Sequence, residues 1–91
     1  MQLYALILRR RDDERVARLL EAHEQRLAAL HRQGVVLWSG PFAEGGGLTI
    51  FQAASRTDAE RIVAEDPFVI NGTHEPELRA WNPWLRTDPS P

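Results

Sequence analysis

Val35-Val36-Leu37-Trp38-Ser39-Gly40-Pro41, then Gly45-Gly46-Gly47, then Leu48-Thr49-Ile50-Phe51-Gln52-Ala53 is the stretch on which the fold turns. β-Branched and aromatic residues fill both flanks, and the glycine cluster between them supplies the backbone freedom that a tight reversal needs. The reading is a strand over 35–39 ending at Gly40-Pro41, a hairpin turn, and a strand over 48–53. The glycines are not a phosphate loop. That motif needs a helix and a Lys after the glycines, whereas here a strand follows and the chain has no Lys.

N-terminal to this hairpin, Leu3-Tyr4-Ala5-Leu6-Ile7-Leu8 is a short apolar run ended by charge, which suits a strand covered on both faces. A helix follows, opened by Asp12, Asp13 and Glu14 at the positive end of its dipole and closed by Gly34. Its apolar positions, Val16, Leu19, Leu20, Leu27 and Leu30, form one stripe with His23 near the centre and His31 at the edge. C-terminal to the hairpin, a second helix starts near Ser55 to Glu60. Thr57 with Glu60 and Ser55 with Asp58 compete for its cap, and Ala59, Ile62 and Val63 face inward. Asp66-Pro67 breaks it, Pro67 to Ile70 gives a short extra turn before Asn71-Gly72, and a last strand covers Glu77 to Trp81.

Strand, helix, strand, strand, helix, strand is the ferredoxin-like βαββαβ order, an α+β two-layer sandwich with both helices on one face of an antiparallel sheet. Leu3, Ala5 and Ile7 alternate with Tyr4, Leu6 and Leu8, and Val35 and Leu37 with Val36 and Trp38, so both faces of the sheet are apolar. Two helices cover one face only. The sequence therefore predicts a homodimer in which a second copy covers the other, with higher oligomers open. Residues 1–84 read as a single domain and 85–91 as a Pro-containing tail.

Composition narrows the chemistry. All eleven basic residues are Arg and there is no Cys among the 91 residues, which excludes Schiff-base lysines, thiolate catalysis, disulfides and zinc-thiolate sites. A chain of this length buries only about 60–65% of its unfolded surface, so a partner subunit would add to a small core. Net charge is −2, which argues against nucleic acid and anionic membrane as partners. The apolar N-terminal run precedes its arginines, the reverse of a secretory signal, and is too short to span a bilayer, so the expected location is cytoplasmic.

His23 is the first candidate for chemistry, since an imidazole inside an apolar stripe can be tuned for acid/base work near neutral pH, although a hydrogen-bonded core histidine has the same signature. Asp66 is the second. It suits an N-cap for the turn at Pro67, and it can also hold an imidazole in one tautomer, so the two would form a dyad if the fold brings them together. Arg9-Arg10-Arg11 could grip an anion, but the acidic residues that follow favour a solvated loop and helix start. His74, Glu75 and Glu77 read as solvent-facing side chains rather than a metal site, and Trp38, Trp81 and Trp84 as core and dimer-interface residues, with a pocket wall as the alternative for one of them.

Ala22-His23-Glu24 with Leu27, Leu30 and Gly34, the strand end Ser39-Gly40-Pro41-Phe42, the segment Gly46 to Phe51, and Ala64-Glu65-Asp66-Pro67-Phe68 before Gly72 together resemble the YciI-like, or YCII-related, family over residues 2–84. The resemblance implies a ferredoxin-like fold dimerising through its sheets as a dimeric α+β barrel. It implies a His-Asp dyad carried over as His23 and Asp66, with Ser39, Gly40 and Phe68 lining a substrate pocket. One relative removes HCl from a chlorinated hydroxyhydroquinone and muconolactone isomerases share the barrel, so it further implies proton transfer on a small cyclic or carboxylated compound without metal or organic cofactor. A non-catalytic metabolite-binding or interaction module of the same fold is the alternative. Thr73 to Glu77 and Trp81-Asn82-Pro83-Trp84 depart from the commonest family pattern.

Overall fold

Strand β1, Gln2–Arg10, sends Tyr4, Leu6 and Leu8 to one side, where each is at most 5% exposed, and leaves Leu3, Ala5 and Ile7 half-buried on the other. This is the pleat alternation expected of a central strand. In the computed structural model, which describes residues 1–11 and 14–87, β1 lies between two neighbours in a four-stranded sheet. The further elements are α1 Val16–Arg32, β2 Val36–Pro41, β3 Gly47–Ala53, α2 Arg56–Ala64, α3 Pro67–Ile70 and β4 His74–Trp81. The strand order is β2-β3-β1-β4 with every pair antiparallel, which is the ferredoxin-like α+β arrangement. Tyr4, Leu6, Leu8, Val36, Phe51, Ala59, Val63 and Phe68 form the core between sheet and helices.

Local chemistry explains the ends of the elements. Gly34 has φ +78°, its N–H donates to His31 O and that of Val35 to Leu30 O, a Schellman closure of α1. Gly46 has φ +75°, and a Cβ there would sit 2.4 Å from the Leu8 carbonyl oxygen, so the turn hugs β1 too closely for a side chain. At α2 the competition between caps is resolved for Ser55, whose Oγ accepts from the Asp58 N–H at 3.1 Å. Among the described residues no helix is long and apolar enough to cross a membrane.

Several sequence expectations need correction. The acidic opening of α1 does not hold: Glu14 precedes the helix, its first turn contains no acidic residue, and Asp12 and Asp13 lie outside the described residues. Arg9 and Arg10 belong to β1 rather than to a loop, because β4 starts at His74, three residues earlier than expected, and pairs Arg10 with His74 and Arg9 with Glu75. Pro76 is tolerated there since β4 is an edge strand. β2 continues through Gly40 and Pro41, which pair with Leu48 and Gly47. A bulge at Leu37 also breaks the alternation expected in β2: Val36 opposes Phe51 on the core face, and Trp38 opposes Ile50 on the outer one. None of the three tryptophans is a core residue of this chain; Trp38, Trp81 and Trp84 are 51%, 42% and 92% exposed. The expected tail is continuous with that outer face, since Leu85, Arg86 and Thr87 border a groove with Leu3, Trp38 and Trp81; residues 88–91 lie outside the described ones.

Candidate active site

Asp66 sits where α2 has ended and α3 begins, and Pro67 at the first position of α3 fixes that break. Its Oδ1 accepts the Phe68 N–H at 2.8 Å, the cap that the sequence suggested. Its Oδ2 lies 2.8 Å from Nδ1 of His23, which α1 carries across to it. One carboxylate therefore does both jobs that the sequence left as alternatives. Asp66 is 2% exposed, and burying such a group requires these partners. Arg26, one turn further along α1, sits 3.9 Å from the same Oδ2 and donates to the Ile62 carbonyl, holding the end of α2 in place. A carboxylate can only accept from the imidazole, so Nδ1 of His23 carries the hydrogen and the neutral ring keeps its lone pair on Nε2.

The His23 ring stacks on Phe68 with centroids 4.1 Å apart, and the opposite face of Phe68 stacks on His74 at 4.3 Å. His74 is 5% exposed and was missed by sequence reasoning, which placed it with Glu75 and Glu77 on the surface. The signal was the register: once the last strand is extended by three residues, His74 shares the inward face with Leu78, while Glu75 and Glu77 alternate outward to Arg11 and Arg9. Burial pushes the His74 imidazole below the usual histidine range, the neighbouring His23 and Arg10 push it the same way, and Asp66 opposes them.

His23, Phe68 and His74 form the floor of an open cavity of about 960 Å³ between α1 and the β2–β3 hairpin. Ser39 and Gly40, the other two residues expected to line a pocket, border it from β2. Ser39 Oγ is hydrogen-bonded to Thr49 Oγ1 at 2.7 Å, and no helix follows it, so it lacks the setting of a nucleophile. His31 borders the same cavity, with Nδ1 donating to the Val36 carbonyl at 2.8 Å. The volume is that of a small-molecule site. Chemically, the arrangement offers an imidazole oriented by a buried carboxylate, with a bare nitrogen available to a ligand, beside aromatic and apolar walls.

Comparison with known proteins agrees with this architecture. The structure is similar to that of 5-chloro-2-hydroxyhydroquinone dehydrochlorinase from Burkholderia phenoliruptrix AC1100 in complex with 2,5-dihydroxybenzoquinone. The TM-score is 0.66 at 20% sequence identity, over 87% of this chain and 93% of that chain, a likeness of fold. No curated protein sequence matches. The YCII-related domain matches residues 2–82, a span that holds every strand and helix building the cavity and both members of the His23–Asp66 pair. The chain belongs to the YCII-related domain family.

Proposed function

We propose that this protein is a small-molecule enzyme that moves a proton on a small cyclic or carboxylated compound, with His23 as the proton carrier and Asp66 as the carboxylate that orients it. The observation that carries the reading is the 2.8 Å bond between His23 Nδ1 and a carboxylate that is itself fixed by the Phe68 N–H. Nε2 takes a proton from the substrate, and Asp66 stabilises the imidazolium that forms. Delivery of that proton to a second substrate atom is isomerase chemistry; departure of chloride, with the proton passing from Nε2 to water, is dehydrochlorination. Ser39, Gly40 and Phe68 contact the substrate in this scheme, and no step needs a metal or an organic cofactor. A fold shared with a dehydrochlorinase that holds a small cyclic ligand supports the reading as analogy.

The test is turnover of a small panel, beginning with 5-chloro-2-hydroxyhydroquinone followed by chloride release, in wild type and His23→Gln. A loss of roughly 10²- to 10⁴-fold is expected. Equal rates in the two proteins would overturn the proton-carrier role.

One observation favours the rival, a binding module without turnover: the same bond ties α1, which has no fully buried residue of its own, to α3. If His23→Gln lowers the melting temperature and leaves the affinity for a bound ligand unchanged, the pair is a structural clasp.

The same proposal includes a homodimer formed through the outer face of the sheet by the unit of residues 1–84, acting in the cytoplasm. Trp38, Trp81, Leu3 and Leu85 border an apolar groove of about 250 Å³ on that face, and Leu85 is 83% exposed. Burying this face between two copies is the simplest cover for it. Light scattering that gives a monomer at micromolar concentration would remove the dimer.

A further inference from the structure

Arg9, Arg10 and Arg11 are consecutive and identical, yet their surroundings differ. Arg9 is paired with Glu77, and Arg11 lies 3.3 Å from Glu75. Arg10 alternates to the helix side of β1, borders the cavity and has no carboxylate within ion-pair distance among the described residues. Its cross-strand partner on β4 is not a glutamate but His74. The β1–β4 ladder thus brings a guanidinium with no carboxylate partner among the described residues and a buried imidazole side by side at one end of the cavity.

Hydrogen-bond accounting fixes the state of that imidazole. Thr73 Oγ1 has a single hydrogen and donates it to the Phe68 carbonyl at 3.2 Å. Nδ1 of His74, 3.0 Å from the same oxygen, must therefore be the donor in their bond, which leaves Nε2 bare in the neutral ring. Nε2 has no hydrogen-bond partner among the described residues. Since no side-chain nitrogen or oxygen among the described residues is both buried and unpartnered, Nε2 keeps access to the cavity that His74 borders. The proposed proton transfer at His23 makes no use of it.

We propose that Arg10 and His74 form a subsite for a carboxylate carried by the ligand, in which the guanidinium pairs with the anion and Nε2 of His74 takes up one solvent proton as the anion binds. The inference rests on the reading of this cavity as the ligand site, and adds which group of the ligand is held and where. No bond is broken: one proton moves from water to Nε2, and the product is a carboxylate lying between a guanidinium and an imidazolium. Before an anion binds, the ring is pushed toward its neutral form by burial, by His23 from α1 whenever that imidazole is protonated, and by the Arg10 guanidinium from β1, against the opposing Asp66 ahead of α3. A bound anion reverses that balance, since an adjacent negative charge favours the protonated ring. Glu24 and Glu44 also border the cavity and work against an anion; His31 borders it from the far end of α1.

Calorimetric titration with benzoate and its neutral isostere benzamide, each in two buffers of different ionisation enthalpy near neutral pH, tests the proposal. Benzoate should bind at least about tenfold tighter than benzamide, with uptake approaching one proton. Arg10→Gln should abolish the preference for benzoate, and Arg10→Lys should keep most of it. Arg9→Gln, in a residue already paired with Glu77, should leave it unchanged, and Glu44→Gln should strengthen it. His74→Gln should bind benzoate without proton uptake. Equal affinity for the two probes, an equal loss in Arg9→Gln, or uptake that persists in His74→Gln would each overturn the subsite while the cavity stays a ligand site. Binding of neither probe would overturn both. Turnover plays no part in the measurement, so the His23–Asp66 mechanism stands or falls separately.

Discussion

The two long helices lie on the same face of the same sheet and do opposite things with their apolar stripes. α2 is nine residues long and buries Ala59 and Val63 completely or nearly so; α1 is seventeen residues long and has no buried residue. Leu20, in the α1 stripe, is 43% exposed and borders the cavity, as do Val16 and Leu27. The contrast teaches that an amphipathic stripe marks the side of a helix that faces the sheet, not the side that is filled. On the α2 side the stripe is core. On the α1 side Val16, Leu19, Leu27 and Leu30 pack against the core only half-buried and Leu20 is left exposed at the cavity, and the Asp66–His23 bond and the Schellman turn at Gly34 secure the helix.

The largest effect that separates the two sides is on turnover: His23→Gln, on the α1 side, should cost roughly 10²- to 10⁴-fold in rate, whereas a mutation of the α2 stripe should affect rate only through the amount of folded protein. Measuring kcat alongside the melting temperature distinguishes the two. Next in size is a pair of truncations. Val63→Ala should destabilise by about 1–3 kcal/mol, because its methyl groups are buried in a packed core. Leu20→Ala removes more atoms but should cost less than about 1 kcal/mol, because those atoms already face the cavity. At about 4–8 °C per kcal/mol for a domain of this size, thermal melts resolve the difference. If Leu20→Ala proves as damaging as Val63→Ala, Leu20 is buried in solution and the cavity is closed beside it.

The sequence made this contrast only half legible. Periodicity located both helices, the hairpin and the βαββαβ order, and it placed His23 on the inward stripe, because these depend on local pattern. The capping preference of Asp-Pro located Asp66 at the start of α3. What periodicity cannot carry is the distance between a stripe and the sheet beneath it, so nothing in Val16, Leu20 or Leu27 distinguishes a cavity wall from a core. His74 was hidden for a related reason: Glu75 and Pro76 are poor strand residues by propensity, so the expected strand began only at Glu77, and pairing with β1 is what extends it back to His74. The bulge at Leu37 is likewise set by pairing with β3, and it moved Trp38 off the face that alternation has it share with Val36.

The smallest expected effect sharpens the comparison at the floor of the cavity, where the two sides meet on Phe68. Protonation of His74 is disfavoured in the folded protein by burial and by His23 on α1 and Arg10 on β1, with Asp66 opposing. The unfolded chain therefore binds the proton more readily than the folded one. Stability contributed by keeping this ring neutral is fully present above the ordinary histidine value of about 6.5 and is lost as pH falls from there toward the lower folded-state value. Wild type should thus lose melting temperature on acidification from neutral pH more steeply than His74→Gln, by the titration of less than one proton. A Val63→Ala protein should show the wild-type slope from a lower starting point, because the substitution removes no titrating group. An acid slope in His74→Gln equal to that of wild type would mean that the buried ring costs nothing to protonate, and that the carboxylates around the cavity, rather than the stacked imidazole, set its response to pH.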